Sequence, residues 1–166
     1  MKVRELINDS RNNHIPFVDY LERIPRCSFS YVSELIREMS ITRNSKDVQL
    51  LEYLLTMASH DGVNKSYTQI LCDLLKDDWH DSYEDIVMVL EEIKDPNSIN
   101  CLYEAAINIP DYDDGRSLAK KCIWALGAIN TEEANNKLEA LKEFNDPIIS
   151  EVAGMQLAHA KKGKEE

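Results

Sequence analysis

Two short acidic runs carry the side chains best suited to chemistry in this 166-residue chain: Asp77-Asp78-Trp79-His80-Asp81 and Asp111-Tyr112-Asp113-Asp114. Each sets an aromatic ring among carboxylates. That composition suits a protein interface, where a ring anchors the contact and the surrounding charge speeds the encounter. The same residues would also serve as solvated loops, with acids capping helices and rings folded back on the core. Trp79 in particular fits either role. His80, between Trp79 and Asp81, would either donate a hydrogen bond across an interface or brace its own loop against a backbone carbonyl, and we favour the brace.

Charge singles out the same region. The net charge is −11, and residues 76–115 carry 12 acidic against 2 basic residues, a net of −10. Residues 1–75 stand at −1 and residues 116–166 at zero. Such a field costs self-repulsion unless a partner or counter-ions offset it. Nucleic acid and anionic membranes attract basic surfaces, so neither is expected as a partner.

The sequence offers little to a catalyst. His14, His60, His80 and His159 stand at no metal-ligand spacing, and no Cys-x-x-Cys pair occurs. A Gly-rich phosphate loop and a Gly-x-Ser-x-Gly elbow are both missing. Paired carboxylates are common, as they must be in so acidic a chain. No enzymatic activity, metal or cofactor is expected. Three of the four cysteines, Cys27, Cys72, Cys101 and Cys122, sit in apolar helical patterns, so free buried thiols are expected rather than a disulfide framework. No apolar run approaches the roughly 18 residues a membrane span needs. The charged start, Met1-Lys2-Val3-Arg4-Glu5, does not read as a signal peptide, and a cytoplasmic protein is expected.

The elements that would position the two runs read as helices throughout. In the C-terminal half, Ser82-Tyr83-Glu84-Asp85 has the form of a capping box, followed by an inward stripe of Ile86, Leu90 and Ile93 widened by Val87 and Val89. Asp95-Pro96 closes that helix and caps the next, whose stripe is Ile99, Leu102, Tyr103, Ala106 and Ile107. A third helix from about Arg116 points Leu118, Cys122, Ala125, Leu126 and Ile129 inward, and Trp124 is expected in the core with Tyr103. Thr131 caps a fourth helix with Ala134, Leu138 and Leu141 inward, and Asp146-Pro147 opens a last one with Ile149, Val152, Ala153, Gln156 and Leu157. Before these come Val32, Leu35, Ile36 and Met39, then Val48, Leu51, Leu54, Leu55 and Ala58 before a turn at His60-Asp61-Gly62, then Ile70, Leu71, Leu74 and Leu75. The segment between Pro16 and Pro25 suggests no particular structure. No run alternates with hairpin chemistry, so a sheet is not expected.

A shift of 36 residues lays the chain on itself: Leu90 meets Leu126, Ile93 meets Ile129, Leu102 meets Leu138, and the caps Asp95 and Thr131 coincide. A period in the 30s with two helices per unit is the mark of an α-solenoid. The expectation is therefore a single all-α domain over 1–166, with irregular N-terminal helices in 1–45, antiparallel helix pairs in 46–161 and a frayed tail at 162–166. Equivalent loops of neighbouring pairs lie side by side, which would gather Asp77, Asp78, Trp79, His80, Asp81, Asp111, Tyr112, Asp113 and Asp114 into one partner-binding edge.

Trp124-Ala125-Leu126-Gly127-Ala128-Ile129-Asn130-Thr131-Glu132-Glu133-Ala134 resembles the HEAT-type repeat, in which Ala-Leu-Gly and a short turn precede the second helix. Asp78-Trp79-His80-Asp81-Ser82-Tyr83-Glu84-Asp85-Ile86-Val87, Lys94-Asp95-Pro96, Leu102-Tyr103-Glu104-Ala105-Ala106, Tyr112-Asp113 and Lys121-Cys122-Ile123-Trp124 resemble a group of small bacterial HEAT-like proteins. The resemblance covers roughly residues 71–157 and departs at Tyr83, where a second histidine would be expected. It implies a cytoplasmic immunity protein that holds a cognate toxin domain inactive. A basic nuclease cleft is one such target, occupied by the acidic edge in place of nucleic acid. The alternative is a HEAT-like adaptor or scaffold without a toxin partner, because repeats of this type serve many binding tasks.

Overall fold

Apolar residues at helical spacing, punctuated by Asp-Pro, Thr and Gly, give a computed structural model that is helical and has no strand among the described residues, which are 3–23, 29–43 and 48–162. Ten α-helices follow in order: α1 (Val3–Asn12), α2 (Phe17–Leu21), α3 (Phe29–Thr42), α4 (Val48–Asp61), α5 (Thr68–Leu74), α6 (Tyr83–Ile93), α7 (Ile99–Ile107), α8 (Ser117–Ile129), α9 (Glu132–Lys142) and α10 (Pro147–Lys162). Short 3-10 turns at Lys65–Tyr67 and Pro96–Ser98 lead into α5 and α7. The segment after Pro16, unassigned from sequence, forms the short α2, with Leu21 buried. Cys27, Pro25 and the last residues of the tail, 163–166, lie outside the described residues.

The inward stripes read from the sequence are the core. Ile86, Val87, Val89 and Leu90 of α6 are buried, as are Ile99, Leu102 and Ala106 of α7, Ala134, Leu138 and Leu141 of α9, and Ile149, Ala153 and Leu157 of α10. Helix α6 packs on α8, and α8 on α10; α7 lies against α8 and α9, and α9 against α10. Upstream, α3 contacts α4 and α5, while α4 reaches α6. One core therefore runs from Leu6 in α1 to Leu157 in α10.

The turns inside the two repeated units match in backbone as well as in sequence. Lys94 ends α6 in the left-handed conformation at φ 52° and ψ 39°, and Asn130 ends α8 at φ 49° and ψ 39°. The next residue is extended in both cases and caps the following helix: the Asp95 carboxylate accepts from the Asn97 amide at 3.2 Å, and the Thr131 hydroxyl accepts from the Ala134 amide at 3.2 Å. Asp95 is 2% exposed and also accepts from the Thr68 hydroxyl at 2.8 Å, which ties the turn to α5. Burial pushes its carboxyl upward, but the Thr68 and Asn97 hydrogen bonds and the Lys65 charge outweigh burial and leave it below the usual value. At α10, Asp146 accepts from the Ile148 and Ile149 amides at 3.0 and 3.1 Å and pairs with Arg116 at 2.7 Å.

Three expectations change. Cys72 of α5 and Cys101 of α7 are joined by a disulfide, with Cα atoms 5.5 Å apart across 29 residues of sequence, so the free-thiol reading fails for this pair. It holds for Cys122, a free thiol that is fully buried and whose titration burial pushes upward. Trp124 is 42% exposed rather than in the core. Helix α8 is covered on both flanks, by Leu118, Cys122, Ala125 and Leu126 and by Ala119 and Ile123, which leaves only a narrow outer stripe. Trp124 shares that stripe with Lys121, one turn earlier. Finally, Tyr103 is half-buried, and the Lys137 ammonium stands 4.5 Å from its ring centre.

Candidate functional site

The loop before α6 is built from its own side chains. His80 is 6% exposed and lies 2.9 Å through Nε2 from the Leu74 carbonyl and 3.2 Å through Nδ1 from the Ser82 amide. A carbonyl only accepts and an amide N–H only donates, so the ring must be neutral with its proton on Nε2. Burial pushes its titration below the ordinary histidine value, against the opposing pull of the Leu74 carbonyl and of Asp77 and Asp81. His80 therefore braces the loop and is not available to a partner.

Its neighbours complete the brace. The Trp79 indole N–H donates to Asp77 Oδ2 at 3.1 Å, and the indole meets the His80 ring edge-on with centres 5.0 Å apart. The Tyr83 hydroxyl donates to the Asp77 carbonyl at 2.7 Å, with its ring 4.7 Å from that of His80. Tyr83, where the resemblance leads one to expect histidine, thus closes the same loop. Asp77 also pairs with Arg43 at 2.9 Å, which joins the loop to the end of α3. Ser82 stands at the start of α6 but caps nothing. Its hydroxyl is buried without a partner, and the capping-box expectation fails because the Ser82 amide is held by His80.

In the second run the structural residue is Asp113. It is 6% exposed, and its carboxylate accepts from the Ser117 and Leu118 amides at 2.7 and 3.1 Å, capping α8. Asp111, Asp114 and Tyr112 are exposed, Tyr112 to 70%. The nine residues grouped by sequence reasoning therefore divide. Asp77, Trp79, His80 and Asp113 hold the loops, whereas Asp78, Asp81, Asp111, Tyr112 and Asp114 face outward. None of Asp78, Asp81, Asp111 or Asp114 is in an ion pair.

Tyr112 brings the two runs together as the wall shared by two concavities. One, of about 400 Å³, has an apolar floor that includes Leu75, Ala105 and Leu118 and a rim that includes Asp77, Asp78 and Glu104. The other, of about 510 Å³, is lined by Asp81, Glu84, Asp85, Tyr112 and Lys121, with Lys121 paired to Glu84 at 2.7 Å. Burial raises the Tyr112 phenol, and the charges of Asp113, Glu84 and Asp81 raise it further. The acidic surface continues onto α4. Glu52 is raised first by partial burial and then by the charges of Asp81 and Asp85. Sequence reasoning missed Glu52, Glu84 and Asp85, which helical spacing would have placed one turn from the acidic loops but not on the same face. Among the described residues no group of three His, Cys, Asp or Glu side chains is disposed to hold a metal ion, and no helix is long and apolar enough to cross a membrane.

This arrangement can attract and hold cationic groups beside an aromatic ring. Comparison with family models, curated proteins and solved structures finds no match for the chain.

Proposed function

We propose that this chain is a protein-binding α-solenoid of HEAT-like helix pairs that neutralises a cognate bacterial toxin domain, a basic nuclease among the targets it suits, through its acidic face. It binds rather than catalyses, and neither nucleic acid nor membrane is its partner. The observation that carries the reading is the folding of the −10 segment into a surface where exposed, unpaired Asp78, Asp81, Asp111 and Asp114 flank the exposed Tyr112. A solvated loop gains nothing from that concentration, whereas a basic partner offsets its repulsion on binding. The solenoid assignment is supported by the shared turn geometry at Lys94-Asp95 and Asn130-Thr131 and by the α6–α8–α10 succession.

The adaptor reading is favoured by one separate feature. Met88, Trp124 and Met155 are large apolar residues exposed on α6, α8 and α10, outside the acidic concavities. A scaffold presents more than one surface. Compartment is open to a direct test as well. The reading places the protein in the cytoplasm, whereas a Cys72–Cys101 bond persists best under oxidising conditions. Alkylation before lysis followed by mass measurement decides between them.

The test uses tagged wild type and a variant with Asp78, Asp81, Asp111 and Asp114 all changed to Asn, which spares the structural Asp77 and Asp113. Capture from lysate of the source cell should yield one basic partner with wild type and lose it with the variant. That partner should arrest growth when expressed alone and be tolerated when the chain is co-expressed. Several unrelated partners, or one retained by the variant, would transfer the assignment to the scaffold class.

A further inference from the structure

The 400 Å³ groove differs from the rest of the acidic face because its floor is apolar. Leu75 and Leu118 contribute from the end of α5 and the start of α8, and Ala105 from α7, while Asp78, Glu104 and Tyr112 stand around the opening. Its volume falls within the range of small binding pockets, enough for a side chain or two. The one cation at the rim, Lys76, is 61% exposed and pairs loosely with Glu104 at 3.6 Å, so an incoming cation can replace it. We propose that this groove is where a partner docks, and that its occupant is a protein segment carrying a large apolar side chain between lysines or arginines. This rests on the binding-protein reading above and names the chemistry that the acidic face selects. The apolar side chain fills the floor, and the flanking cations meet Asp78 and Glu104, with the exposed Tyr112 ring able to receive one of them on its face. Charge complementarity excludes an acidic segment, and a second copy of the chain would bring the same negative surface to its own.

The probes are two labelled peptides of equal charge and length, one alternating Leu with Lys and the other Gly with Lys, titrated by fluorescence polarisation against the full chain. The Leu–Lys peptide should bind at least about tenfold more tightly than the Gly–Lys peptide. Asn108→Trp, at an exposed position of the groove, should fill the opening and abolish that difference, and Tyr112→Ala should reduce it. Both sites are exposed, and helical content measured by circular dichroism establishes that each variant is folded. Equal binding of the two peptides, or Leu–Lys binding that Asn108→Trp leaves unchanged, overturns the groove. The four-Asn variant separates the two claims. Binding lost there but retained in Asn108→Trp leaves the acidic face standing and rejects the groove, and binding retained in both rejects the two together.

Discussion

His80 spends both ring nitrogens inside its own loop, and that fixes how the protein should respond to acid. Its neutral form is favoured in the fold, so the unfolded chain takes up the proton first. The stability it contributes is fully present above its ordinary value of 6.5 and is lost as pH falls below it. Asp95 and Asp146 are depressed carboxyls, so their contribution is present above 3.8 and is lost only below that. Urea melts should therefore show a first loss of stability between about pH 6.5 and 5 and a second below about 4. His80→Gln should flatten the first stage at a cost of about 1–3 kcal/mol, and an unchanged acid profile would reject the assigned tautomer. Two neighbouring caps make a sharper contrast. Asp113→Ala should cost about 1–2 kcal/mol because two amides of α8 lose their acceptor. Ser82→Ala should be neutral or stabilising, since its hydroxyl is buried with no partner. The sequence pattern alone ranks these the other way, because Ser-x-x-Asp before an apolar run looks like a cap, while the double cap of Asp113 depends on a chain path that no spacing reveals.

At the level of elements, the helices of the C-terminal half were legible because the stripe and the punctuation agree. Asp95 and Thr131 each follow a left-handed residue and begin the next helix, and the 36-residue offset aligns both turn and leucines. The pairing of α5 with α7 was not legible. Cys72 and Cys101 each look like a small core residue on an amphipathic helix, and only the return of the chain brings them together. That bond closes a loop of 29 residues, and the chain-entropy estimate gives it about 3–4 kcal/mol. A reductant should lower the wild-type unfolding free energy by roughly that amount, while a Cys72→Ser/Cys101→Ser double variant should melt alike with and without reductant. A wild-type curve that ignores the reductant would show the pair to be reduced in solution. Trp124 was misjudged for a related reason. Periodicity identifies an apolar stripe, but which face of α8 is left uncovered depends on α6 and α10 lying either side of it.

Across the whole molecule, the charge that marks the proposed binding face works against the fold that presents it. With −10 confined to 40 residues and the exposed aspartates unpaired, folding brings like charges closer than they lie in the open chain. At low ionic strength this repulsion is poorly screened, since the Debye length is about 30 Å at 0.01 M salt and about 8 Å at 0.15 M. Raising salt should therefore raise the melting temperature, an effect opposite to that expected of a surface held together by ion pairs. The few surface pairs present, such as Lys76 with Glu104 and Lys121 with Glu84, add little to offset it. The variant with Asp78, Asp81, Asp111 and Asp114 changed to Asn should melt higher than wild type at low salt, and the gap should close as salt is added. The same variant should associate more slowly with a basic partner, with a flatter dependence of on-rate on salt. A gain in stability coupled to a loss of association is what a retained functional surface requires. If the variant is no more stable at low salt, the carboxylates do not repel one another in the fold, and the electrostatic case for the acidic face fails with it.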